Sequence, residues 1–87
     1  MYIIMVYDIA ENRVNKVLKT ARKYLTWIQN SVLEGKITPA KYQRLKHELE
    51  QIIDKNYDSI KFYILRDQKQ LKTETIGQEK GIRDNIV

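Results

Sequence analysis

One stretch restricts the fold more than any other, the opening IIMVYDIAEN. Ile3 to Tyr7 is an unbroken apolar run that ends on a carboxylate, Asp8. In a strand, Ile3, Met5 and Tyr7 point to one face and Ile4 and Val6 to the other. A strand with one wet face alternates apolar with polar residues. Met1 to Asp8 therefore reads as a central strand covered on both sides. Asp8 shares the parity of Ile4 and Val6. It is either a strand-ending turn or helix-capping acid, or it holds something.

The covering elements follow along the chain. In ENRVNKVLKTARKYL, Val14, Val17, Leu18, Ala21 and Leu25 recur at helical spacing. Asn12 is a plausible N-cap, and Glu11 suits the positive end of the helix. TWIQNSVLEGKI reads as a short hairpin or two consecutive strands, with Gly35 permitting a bend or bulge. TPAKYQRLKHELEQIIDKN is the clearest helix. Thr38 caps it, Pro39 takes the first position, and Tyr42, Leu45, Leu49, Ile52 and Ile53 line one face. SIKFYILRD is a second strand that is apolar on both faces, and LKTETIG reads as a short polar edge strand.

This order gives an α+β fold, a ferredoxin-like βαββαβ sandwich with an additional C-terminal strand. The expected domain spans residues 1–77, and 78–87 form a tail. Both helices cover one sheet face, so a second copy of the chain is the simplest cover for the other. With 87 residues the core is small, and a dimer would enlarge it.

Composition narrows the chemistry. There is no cysteine, which excludes disulfides, thiolate zinc sites and cysteine nucleophiles. The one histidine, His47, falls opposite the Leu45 and Leu49 stripe, on the surface. It cannot supply the pair used in one kind of metal-free RNA cleavage. A net charge of +5 suits a polyanionic partner. No secretory signal or membrane-length apolar run is visible, so the expected location is cytoplasmic and no membrane partner is expected.

VYDIAENRVNKVLK, WIQNSVLEG and TPAKYQRLKHELEQIID together resemble the small CRISPR-associated adaptation protein family, also described as CRISPR-associated endoribonuclease, partner of the CRISPR integrase. The resemblance covers essentially the whole chain. It implies a homodimer packed sheet to sheet, with the last strand of each subunit joining the partner's sheet. It implies that Asp8 faces its twin across the dimer cleft, where the pair holds Mg2+, with Mn2+ as a substitute. The implied activity is endonucleolytic hydrolysis of RNA or double-stranded DNA. The implied role is spacer acquisition, in which the dimer bridges integrase dimers and supports the duplex being inserted. The turn after Asp8 is shorter here than in many members, and Leu33 stands where many have phenylalanine.

Asp8 is thus the candidate catalytic and metal-binding residue. Hard divalent cations prefer oxygen donors, and magnesium retains several waters. Arg13, Lys16, Lys19, Arg22 and Lys23 are candidate nucleic-acid contacts, electrostatic and indifferent to base sequence. The same residues also read as a solvated helix face. Tyr7, Glu11, Gln29 and Ser31 are candidate supports of the cleft; for Tyr7 a core aromatic is the plainer reading, and for Glu11 a favourable helix-start charge. Ser31 has no base nearby in sequence. A purely structural bridge without catalysis is the competing function. An acylphosphatase-type enzyme lacks its Gly-rich anion loop here, and an RNA-recognition module lacks its aromatic strand motif.

Overall fold

A computed structural model describes residues 1–78. Strand β1 (Tyr2–Asp8) leads through a short turn to helix α1 (Glu11–Ala21). A hairpin of β2 (Thr26–Gln29) and β3 (Val32–Lys36) follows, then helix α2 (Pro39–Glu50) and strand β4 (Ser59–Leu65). The sheet is antiparallel in the order β2-β3-β1-β4, so β1 is central, as expected, whereas β4, also apolar on both faces, lies at an edge. This is the ferredoxin-like arrangement.

The pleat sorts the side chains of β1. Ile3, Met5 and Tyr7 are buried, and they share one core with Leu33 of β3, Val17 and Ala21 of α1, and Tyr42, Leu45 and Leu49 of α2. Each large aliphatic side chain so buried is worth about 1.5–3 kcal/mol. Ile4 and Val6 point away from the helices and are only half-buried. Cross-strand neighbours Val32, Lys61 and Tyr63 share their face. Within the described chain no helix covers this face.

The second helix begins as its sequence dictates. Thr38 accepts a hydrogen bond from the Lys41 amide, and Pro39 follows. The first helix differs from expectation at both ends. Asn12 does not cap it; Ala10 occupies that position and offers no side-chain acceptor. At the other end the helix stops at Ala21. The Lys23 and Tyr24 amides bond three residues back, to Thr20 and Ala21, tightening the last turn. That swings Leu25 into the core just before β2.

The hairpin turns at Asn30, whose φ of 37° is left-handed, a conformation that asparagine tolerates. The irregularity in the ladder lies between Trp27 and Gln29, not at Gly35, which pairs in register with Ile3. A Cβ at Gly35 would stand 3.4 Å from the Leu25 side chain, at the near limit of ordinary van der Waals contact. Leu71 to Gly77, expected as an edge strand, forms no ladder within the described chain. A strand exists only by pairing, and this segment pairs with no strand among the described residues. The expected tail, after Gln78, lies outside the described residues.

Candidate functional site

The end of β1 is held from both sides. On one side, the hairpin tip is tied to Tyr7. The Tyr7 amide donates to the Ser31 carbonyl at 3.1 Å, and the Tyr7 hydroxyl donates to the Asn30 carbonyl at 3.1 Å. Trp27 Nε1 donates to that same carbonyl at 2.9 Å. Tyr7 is therefore a core aromatic that fixes a turn, and burial raises its hydroxyl pKa. Ser31 contributes its backbone here and is half-buried, whereas Gln29 is exposed.

On the other side stands Asp58, absent from the residues that the sequence singles out. Its side chain has no exposed surface. Oδ1 accepts from the Ala10 amide at 2.9 Å and from Arg13 Nη2 at 3.0 Å. Oδ2 accepts from Arg13 Nε at 2.6 Å and from the Asp54 amide at 2.8 Å. The Arg13 guanidinium, helped by the Asp54 and Ala10 amides, holds the Asp58 carboxyl well below its ordinary range against the opposing effect of burial. Arg13 is thus committed to an internal ion pair, its side chain 23% exposed. Nothing in local sequence points to this pairing, because the partners lie 45 residues apart.

Asp8 itself is exposed. Its backbone pairs with Ser59, the neighbour of Asp58. Among the described residues its carboxylate makes no hydrogen bond and no ion pair, and α1 has no side-chain cap. Neither the turn nor the capping role accounts for it. One such carboxylate is a thin donor set, and no group of three potential metal-ligating side chains exists among the described residues. Glu11 is exposed in the first turn of α1.

The other basic candidates lie farther along α1. Lys16, Lys19, Arg22 and Lys23 are all exposed. Asn15, Leu18, Lys19, Arg22 and Lys23 line an open groove of about 430 Å³. Lys19 sits about 12 Å along the axis from the start of the helix, at 1.5 Å per residue. Lys23 Nζ lies 2.5 Å from Glu48 Oε1, and the Tyr24 hydroxyl donates to Oε2 of the same acid. The Arg22 guanidinium lies 5.6 Å from the centre of the Trp27 ring, which holds it near the surface. Near the start of β1, Tyr2, Lys36, Arg66 and Lys69 line a second recess. There the Tyr2 hydroxyl donates to Glu34, and burial together with that acid pushes its pKa up to about 12. No helix among the described residues is long and apolar enough to cross a membrane.

A family model described as CRISPR associated protein Cas2 matches residues 1–73. The chain is 57% identical over 81 residues to the CRISPR-associated endoribonuclease Cas2 of Thermotoga maritima, covering 93% of both chains. It is 56% identical over 87 residues to the protein of the same name from Dictyoglomus turgidum, covering 100% of both. The crystal structure of Streptococcus pyogenes Cas2 at pH 6.5 superposes with a TM-score of 0.79 at 38% identity, covering 88% of this chain and 100% of that one.

Proposed function

The chain belongs to the CRISPR-associated Cas2 family, and from that premise we propose that it is a homodimeric subunit of CRISPR adaptation with metal-dependent endonuclease activity. The observation that carries the catalytic part is Asp8, an exposed carboxylate without a partner among the described residues, at the end of the central strand. It belongs to the sheet face that no helix covers, and a second copy packed on that face would bring two Asp8 side chains toward one axis. Two carboxylates that close repel each other unless a cation or shared proton intervenes.

The pair would hold Mg2+ or Mn2+, and the ion would neutralise charge developing on a phosphate and acidify a bound water. The chain's own residues supply the rest. Tyr7 and the hairpin tip fix the end of β1 and give the cleft a firm wall. Lys19 and Arg22, doubled by symmetry, offer sequence-independent contacts to a phosphate backbone. The same doubled basic faces suit a role as a support for duplex DNA between integrase dimers in the cytoplasm. In that bridging role Asp8 is dispensable.

Cleavage of labelled single-stranded RNA and double-stranded DNA by wild type and Asp8→Asn tests the reading, with Mg2+, Mn2+ or a chelator present. Expected is cleavage that is lost both in the variant and with the chelator. Equal cutting by both proteins refutes the role of Asp8. Duplex binding without cutting by either leaves the purely structural bridge.

A further inference from the structure

We propose that Asp58 is a positioning residue for Asp8, fixing the turn on which the Asp8 carboxylate stands, with Arg13 as the counter-charge that keeps Asp58 in place. This inference rests on the reading of Asp8 as the carboxylate of the reacting centre.

The argument is geometric. Asp8 is the last residue of β1, and its backbone continues through Ile9 and Ala10 into α1. That turn has no side-chain cap to stiffen it. Among the described residues, its one side-chain tether is Ala10 N–H to Asp58 Oδ1. From the same carboxylate, Arg13 is gripped by two bonds and the α2–β4 turn by the Asp54 amide. Asp58 therefore clasps the chain just after Asp8, the first turn of α1 and the segment entering β4. Its neighbour Ser59 pairs with Asp8 itself.

The carboxylate is saturated, with two donors on each oxygen. Asp58→Asn replaces one acceptor with an NH2 group that faces two donors, so at least one of the clasped elements is released. A buried carboxylate used only for stability could sit anywhere in the fold. This one holds the backbone two residues after the exposed acid and the segment that leads into the strand paired with it.

The test compares wild type, Asp58→Asn, Arg13→Gln and Asp8→Asn as folded proteins of equal oligomeric state. NMR relaxation and amide exchange give the order of residues 8–11, and nuclease kinetics give kcat and KM. Loss of order that includes residues 8–11, with kcat down about tenfold to 100-fold and KM within about twofold, is the expected result for Asp58→Asn. Arg13→Gln leaves Asp58 its bonds from Ala10 and Asp54 and is expected to fall between that variant and wild type; it also serves if Asp58→Asn does not fold. Wild-type kcat in a folded Asp58→Asn protein overturns the inference, as does a lower kcat with residues 8–11 unchanged. Asp8→Asn separates the two failures. If it is inactive while Asp58→Asn is normal, only the inference falls; if it cuts like wild type, or if wild type does not cut, the reading of Asp8 falls and the inference with it.

Discussion

Two aspartates flank one turn and behave as opposites. Asp8 is exposed and has no hydrogen-bond partner among the described residues, whereas Asp58 is sealed in and accepts four hydrogen bonds. The contrast predicts a pH dependence. Folding lowers the pKa of Asp58, so its charged form stabilises the native state. That contribution is whole above the ordinary aspartate value of about 3.9 and is lost as pH falls below it toward the folded value. Glu48, lowered mainly by Lys23 and Tyr24, acts in the same direction but is unchanged in an Asp58 variant. Melting curves of wild type and Asp58→Asn from pH 7 to pH 2 should therefore differ by a constant amount down to about pH 5, then converge below about pH 4. A difference that does not vary with pH would mean that the charge of Asp58 is not what stabilises the fold. Asp8 is legible in the sequence because a carboxylate at the tip of an apolar strand needs explaining. Asp58 is not, because its meaning depends on Arg13, which only the folded chain brings to it.

At the scale of elements, legibility follows the strength of local signals. The α2 start can be read because Thr38 and Pro39 act within one turn, and such a cap is worth about 1 kcal/mol. The α1 boundaries cannot, because apolar spacing continues to Leu25 although the helix does not. Nor does helical periodicity say which basic residues are free. Of the five on α1 and its C-terminal turn, Arg13 is bound to Asp58 and Lys23 to Glu48. Arg22 leans on Trp27, and Lys16 and Lys19 take part in neither ion pair described. The groove formed by Lys19 and Arg22 is therefore where the proposed phosphate contacts would find available charge. Replacing both by alanine should weaken duplex binding without altering any sequence preference. Each phosphate deprived of its protein cation should flatten the slope of log K against log salt by about 0.9. Binding isotherms on one duplex at several salt concentrations measure that slope directly. An unchanged slope would mean that Lys19 and Arg22 make none of the proposed phosphate contacts.

For the whole molecule, the sheet poses the question that its first strand raised. One face carries the core, and the other leaves Ile4 and Val6 half-buried and Tyr63 52% exposed. The outer edge of β4 is also unpaired within the described chain, and an open edge with exposed apolar residues invites another strand. Tyr63 and Ile64, 57% exposed, lie on it. Leu71 to Gly77 matches β4 in length at 7 residues, and its Ile76 is fully exposed. A second copy would satisfy both surfaces at once, face on face and segment on edge. Val6→Glu tests the face. In a monomer the substitution replaces a half-exposed side chain and should cost little. In the proposed dimer it sets a pair of new acids beside the two Asp8 carboxylates and should drive dissociation. A chain ending at Gln70 tests the edge, since it keeps the four-stranded sheet but loses the segment offered for exchange. Sedimentation should give twice the 10.4 kDa chain mass for wild type and, for each variant, a shift toward the mass of its own single chain. If Val6→Glu remains a dimer, the copies meet somewhere other than on the open face. The two Asp8 side chains then have no common axis across that face, and a shared metal site there is excluded.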